Sequence, residues 1–370
     1  MSMMDTMLNY LDQDLPEVYR SMSGRELDER IQKAKKALGD DLVILGHHYQ
    51  RDDVIQYADY RGDSLQLAKT GAKQKNAKYI VFCGVHFMAE TADTLAAPGQ
   101  TVILPDLRAG CSMADMADIE EVEEAWDVLQ ETFQDTVIPV TYVNSTAAIK
   151  AFVGKHGGTT CTSSNAKQVL DWAFRQKKRV FFLPDQHLGR NTAYDQLGIP
   201  LEEMVVWNPK DGKFEEQRGP LDSVRMILWK GYCSVHQKFT PEQVHRIRKR
   251  DPEMKVIVHP ECSFDVVQLA DDSGSTSYII KVIEEAPAGS RWAIGTEVNL
   301  VQRLAQEHPD KHIELLSTTM CPCLTMNRID RPHVLWALES ILEGNPIHVI
   351  KVDEETKHWS KVALDRMLTV

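Results

Sequence analysis

Cys111, Cys233 and Cys323 stand in the motifs GCSMAD, GYCSVH and CPCLTMN, each a short way past an apolar run. Three thiolates drawn from segments 122 and 90 residues apart could hold zinc or an iron–sulfur cluster. Structural zinc draws its ligands from close pairs, and the chain has no CxxC. A cluster held by three cysteines keeps one iron without a protein ligand, able to act as a Lewis acid. Cys321, two residues before Cys323, is the alternative third ligand, and the CxC pair could also be redox-active. Cys83, in VFCGV, reads as a small buried hydrophobe, as do Cys161 and Cys262.

A second set of residues suits proton transfer. His47, His48 and Tyr49 end one apolar run, Tyr142 and Asn144 another, and His259 and Glu261 a third. A lone histidine after a strand is more often a structural hydrogen-bonder. His259 and Glu261, however, are two apart on an extended segment, which puts both side chains on one face, as donors and acceptors working near pH 7. Ser64, Ser163 and Thr276 then stand where helices begin and read as N-caps. Three helix N-termini aimed at one centre would bind a substrate carrying several negative charges, such as carboxylates and a phosphate. There is no GxxxxGK[ST] loop and no strand-linked GxGxxG, so a nucleotide is not the expected ligand.

The elements that position these groups repeat. LVILGHHYQ from Leu42, VIPVTYVN from Val137 and KVIVHPEC from Lys255 are strand-like runs, each preceded by a helical pattern: Gly24–Leu38, Asp118–Phe133 and Thr240–Arg250. A second helix start follows, then the buried strands YIVFCG, RVFFLP and RWAIG, then TVILPD, VRMILW and HIELLS, then the cysteine. His47 precedes Ser64 by 17 residues and Cys111 by 64; His259 precedes Thr276 by 17 and Cys323 by 64. That periodicity favours Cys323 over Cys321. The middle copy is longer, and its polar stretch Pro200–Pro220 reads as a surface insertion.

Strands alternating with helices at this spacing predict an α/β fold of three pseudo-symmetric three-layer α/β/α domains with parallel sheets. The expected boundaries are 1–114, 115–236 with the insertion near 200–220, and 237–330, with 331–370 packing back onto the first domain. Ligands in such sheets gather at the strands' carboxyl ends, so three such edges facing one another would make one central active site.

Composition bounds the function. The 370 residues carry 42 Lys+Arg against 54 Asp+Glu, a net charge of −12, and no basic run longer than three, which argues against nucleic acid as a partner. With 43% hydrophobic and 26% charged residues the chain is globular. The longest apolar-looking stretch, Tyr79–Ala89, falls far short of a membrane helix, and Met1–Arg20 has acidic residues where a secretory leader would be basic. The expectation is a cytoplasmic protein without a membrane partner. There, seven cysteines make a poor disulfide framework.

The motifs GHHYQ, GDSLQLA, GCSMADM, YVNSTAAIKA, TSSNA, PDQHLGRNTA, GYCSVH, HPEC and GST, in this order, resemble the quinolinate synthase family, the A proteins of de novo NAD biosynthesis. The resemblance runs from about Leu42 to about Trp336. Cys323-Leu-Thr-Met326 fits the family's Cys-x-x-Met, whereas Cys321 has Leu324 at the methionine place. The resemblance implies three such domains around a 4Fe–4S cluster with one open iron, held by Cys111, Cys233 and Cys323. It implies a transferase that condenses iminosuccinate (iminoaspartate) with dihydroxyacetone phosphate to quinolinate, phosphate and water, with an L-aspartate oxidase supplying the imine. It further implies a substrate site lined by His47, Ser64, Tyr142, Asn144, Ser163, His259, Glu261 and Thr276, with Glu261 as base assisted by Tyr49 and His259. Rival readings of the residues are a metal-bearing scaffold without turnover and a different cluster hydro-lyase acting on a small dicarboxylate.

Overall fold

The computed structural model describes residues 15–319 and 322–370; Cys321 lies outside the described residues. The chain is α/β, with three sheets built mainly from parallel strands. It divides into two compact units, one of Met1–Gly110 with Leu324–Lys351 and the other of Cys111–Cys323 with Val352–Val370.

In the first unit, β1 (Leu42–His47) is buried along its whole length and pairs in parallel with β2 (Tyr60–Gly62) and β3 (Tyr79–Cys83); β3 in turn pairs with β4 (Thr101–Ile103). Such central strands are covered on both faces, which is why they read as unbroken apolar runs instead of alternating ones. Helix α1 (Gly24–Leu38) is started by Ser23, whose hydroxyl accepts from Glu26 N at 3.3 Å, and it buries Leu27, Ile31 and Ala34 on one face. Helices α2 (Ser64–Lys73) and α3 (His86–Leu95) follow β2 and β3.

The second unit holds the other two sheets. β5 (Val137–Tyr142) pairs with β6 (Thr159–Cys161) and β7 (Arg179–Leu183), and β7 pairs with β10 (Met226–Trp229). β11 (Lys255–Val258) pairs with β12 (Asp272–Ser273) and β13 (Arg291–Gly295), and β13 pairs with β14 (His312–Leu315). The strand orders β2-β1-β3-β4, β6-β5-β7-β10 and β12-β11-β13-β14 are the same order three times, so the sequence repeat is a topological repeat. Helix α4 (Ile119–Phe133), capped by Asp118, buries Val122, Ala125, Leu129 and Phe133 toward the second sheet, and α5 (Ala147–Lys155), α6 (Ala166–Gln176) and α7 (Gln186–Leu197) complete that repeat. In the third repeat, α8 (Pro241–Arg250) precedes β11, while α9 (Thr276–Glu285) and α10 (Val298–Glu307) follow β12 and β13.

Two expectations are corrected. Residues 200–220 are not merely a surface insertion. They supply β8 (Met204–Asn208), wholly buried and parallel to β10, and β9 (Lys213–Glu215), antiparallel to β8. The apolar Met204–Trp207 extends the sheet, and the polar residues lie in the turn before it and the hairpin beyond it.

The chain's end also does not return wholly to the first sheet. Helix α11 (Arg331–Leu342) packs on α1, where Arg30 forks onto Glu339 at 2.9 and 2.6 Å, and β15 (Val349–Ile350) runs antiparallel to β4. The last helix, α12 (Glu354–Thr369), instead packs on α5 and β6 of the second sheet. It buries Ser360, Ala363, Leu364 and Met367 there, and Thr159 Oγ1 donates to Ala363 O at 3.0 Å. A side chain at Gly154 would collide with the Trp359 carbonyl, so this glycine allows the close approach.

Candidate active site

The repeat places a polar ring side chain at or just past the end of each first strand. Tyr142 is the last residue of β5 and His47 the last of β1, and His259 follows β11 directly. The turns after β1 and β11 are built alike. Glu261 N donates to His259 Nδ1 at 3.2 Å, and Tyr49 N donates to His47 Nδ1 at 3.1 Å. In both turns, the amide three residues after the histidine donates back to the histidine carbonyl at 2.9 Å, from Cys262 and from Gln50. With Nδ1 accepting, each neutral ring carries its proton on Nε2.

In the second unit the end of β5 and the turn after β11 bring together a network that is buried throughout. Tyr142 Oη donates to Glu261 Oε1 at 2.8 Å, and His236 Nδ1 meets Glu261 Oε2 at 2.9 Å. His236 Nε2 lies 3.1 Å from Thr296 Oγ1, and the His236 and His259 rings stack with centroids 4.6 Å apart. Glu261 is held below the usual carboxylate range. Burial alone would raise it, but neighbouring His259 and His236 and the hydrogen bonds from His236 and Tyr142 outweigh that. An ionised carboxylate only accepts, so His236 Nδ1 carries a proton. Burial pushes His259 down to about 3, which keeps its ring neutral at pH 7.

The three repeat-end cysteines are half-buried, whereas Cys83, Cys161 and Cys262 are buried. Burial pushes the Cys111 thiol up to about 12; nearby Cys323 and Glu261 add to this, and the Ala114 and Met113 amides oppose it. Cys233 is raised for the same first reason, with Glu261, Cys111 and Cys323 adding. The three thiols therefore share one electrostatic neighbourhood. Cys233 and Cys323 have matching surroundings in the chain: each is followed by two turn residues and a 3-10 turn, His236–Lys238 or Met326–Arg328. Cys323 N donates to Glu297 Oε1 at 3.2 Å. Glu297 is fully buried and also caps α10 through Asn299 N and Leu300 N, at 2.7 and 3.3 Å; burial pushes its carboxyl up to about 8 against those amide donors. Ligand atoms of Cys233, His236 and Glu261 lie within 4.8 Å of one another, a set that could itself hold a metal ion.

The expected caps are displaced by one residue or more. Asp63, not Ser64, caps α2 by accepting from Gln66 N at 2.9 Å, and Ser275, not Thr276, caps α9 by accepting from Tyr278 N at 3.2 Å. Ser64 and Thr276 are the buried first residues of those helices. Ser163 lies in the turn before α6, where Asn165 Oδ1 accepts from Thr162 N and Oγ1 at 2.7 and 3.0 Å. The capping oxygen must come from the last non-helical residue, and in each case another residue holds that place. Asn144 is half-buried in the bend after β5. His47 and Tyr49 pack edge to face at 4.9 Å in the first unit. The sequence reading missed His236 and Thr296. The counterpart of His236, three residues after Cys323, is Met326, so the repeat carries no signal for an ionisable group at that position.

The sequence profile described as the quinolinate synthetase A protein matches residues 29–369. A quinolinate synthase of Bacillus subtilis is 60% identical over 370 residues, covering 100% of both chains. Quinolinate synthases of Anoxybacillus flavithermus and Halalkalibacterium halodurans are each 62% identical over 354 residues, covering 96% of both chains. Identity of this level along a full-length match, together with the threefold repeat and its cysteines, shows that the chain belongs to the quinolinate synthetase A protein family.

Proposed function

We propose that the protein makes quinolinate from iminosuccinate and dihydroxyacetone phosphate, releasing phosphate and water, as a step in NAD biosynthesis. The observation that carries this reading is the buried Tyr142–Glu261–His236 network beside Cys233, in a chain that matches quinolinate synthases over its whole length. Condensation and ring closure require protons to be removed from carbon and delivered to departing oxygen. Glu261, ionised and buried, takes the proton. Tyr142 and His236 hold its two oxygens, and Thr296 lies behind His236. His259 offers Nε2–H to a substrate oxygen. Asn144, Ser163 and Thr276 bind anionic groups of the substrates. His47, Tyr49 and Ser64, at the equivalent edge of the first sheet, are proposed as substrate contacts on the same resemblance.

Cys111, Cys233 and Cys323 fit a 4Fe–4S cluster: the three thiols share one electrostatic neighbourhood. When bound, such a cluster offers one iron without a protein ligand, a Lewis acid for a carboxylate or hydroxyl. The matching turns after Cys233 and Cys323, and the Glu297 bond to Cys323, support Cys323 as the third ligand. The Cys233–His236–Glu261 set favours a second reading, a single metal ion.

Because iminosuccinate hydrolyses in water, an L-aspartate oxidase is the proposed supplier. The test is anaerobic purification, iron and sulfide analysis, and a quinolinate assay with aspartate, aspartate oxidase and dihydroxyacetone phosphate. About four iron and four sulfide per chain with product formation are expected, both lost in Cys111→Ala, Cys233→Ala and Cys323→Ala. One metal per chain supports the second reading, and absence of quinolinate ends the proposal.

A further inference from the structure

The turn that carries Glu261 does not hold itself. His259 N donates to Gly295 O at 3.1 Å, Cys262 N to His259 O at 2.9 Å, and Glu261 N to the His259 ring. That accounts for amides, but the carbonyls of Pro260 and Cys262, on either side of Glu261, still need donors in a buried turn. Both are served by one side chain from another repeat. Asn191, in α7, donates its Nδ2 hydrogens to Pro260 O at 2.8 Å and to Cys262 O at 2.9 Å.

Asn191 is 2% exposed, and its own Oδ1 has no hydrogen-bond partner among the described residues. Its orientation is therefore set by the two donations alone, since turning the amide over would point oxygen at two carbonyl oxygens. The helix behind it is anchored independently. Asp185 Oδ1 caps α7 by accepting from His187 N and Leu188 N at 2.7 and 3.1 Å. Gln186 N donates to Gly231 O at 3.0 Å, and the His187 ring meets Gln237 Oε1 at 2.9 Å, next to His236. The same buried helix thus touches the segment bearing Cys233 and His236 and clamps the segment bearing His259 and Glu261.

We infer that Asn191 is the positioning residue of Glu261, fixing the two peptide planes that flank it so that the carboxylate meets Tyr142 and His236. Neither Ser nor Asp can replace it, because Ser offers a single O–H and an ionised Asp no donor, whereas the amide offers two N–H groups in one plane to two carbonyls. The catalytic part of this inference rests on the proposed function; the clamp itself does not.

The test uses the full-length, anaerobically prepared protein and Asn191→Ala, with Asn191→Ser read the same way should the alanine variant fail to accumulate. Hydrogen exchange by mass spectrometry follows peptides across 256–266, alongside iron and sulfide content and steady-state kinetics. The expected result is faster exchange confined to 256–266 and unchanged iron. kcat should fall by about 10- to 100-fold, with KM for dihydroxyacetone phosphate within about threefold, as for a displaced catalytic group. Wild-type exchange in that segment with kcat within about threefold overturns the inference. Loss of protection throughout the second unit together with loss of iron also overturns it, assigning Asn191 to general packing. Should the wild-type protein make no quinolinate, the functional reading fails, while the exchange comparison still decides whether Asn191 holds the turn.

Discussion

At the scale of single residues, the buried network of the second unit centres on one carboxylate held by two donors, Tyr142 and His236. Glu261→Gln keeps the size but removes the proposed base. Its kcat is expected to fall by about 10²- to 10⁴-fold with iron content unchanged; retention of more than a tenth of wild-type turnover would move the base elsewhere. A second residue sets a pH dependence. Burial pushes His187 from 6.5 down to about 4, so it stays neutral in the folded protein while the unfolded chain protonates it. Its contribution to stability is fully present above pH 6.5 and lost progressively as pH falls toward 4, by up to about 3 kcal/mol. In His187→Gln the fall in thermal midpoint across this window should be shallower; an unchanged slope would assign the acid sensitivity to other groups such as His259. Glu261 and His259 were legible as a pair because spacing of two in an extended segment fixes a shared face. His236 was not, because nothing local in GYCSVH says that its ring reaches a carboxylate 25 residues on.

At the scale of elements, caps and strand ends decide where side chains project. Asp63→Ala should lower the stability of the first unit by about 1 kcal/mol, whereas Ser64→Ala should not do so through α2 capping, since Asp63 bonds Gln66 N. Equal losses in thermal melts of the two variants would contradict the assignment. Glu297 joins the start of α10 to the Cys323 backbone, so Glu297→Ala is expected to lower bound iron to less than about half by loosening the proposed third ligand, the amides of Asn299 and Leu300 also losing an acceptor. Iron content at the wild-type level would limit Glu297 to capping. The first strands and the helices before them were readable, because long amphipathic or apolar runs have no other stable burial. β2, β6 and β12, of two or three residues, carry no such pattern and form because a neighbouring strand offers unpaired backbone groups. β8 was hidden in a polar stretch whose apolar core is only four residues long.

At the scale of the whole molecule, the repeat gives three sheets of one strand order, and the chain's last helix belongs to the second of them. Ending the chain at residue 352 should expose the faces of α5 and β6 that α12 covers and destabilise the second unit by several kcal/mol. Thermal unfolding unchanged by the truncation would make α12 a mere appendage. Gly154→Val should approach the same loss, because its side chain would meet the Trp359 backbone.

The sequence by itself determined the α/β class, the threefold repeat, the three recurrent cysteines and the family, because apolar runs and motif order are properties of the chain alone. The tertiary structure decided which of those residues touch. Tyr142 reaches Glu261 across 119 positions, and Asn191 reaches Pro260 and Cys262 across 69 and 71. Such contacts follow from the packing of one repeat on another, where the donors and acceptors of a buried turn must find partners in whatever element lies against it.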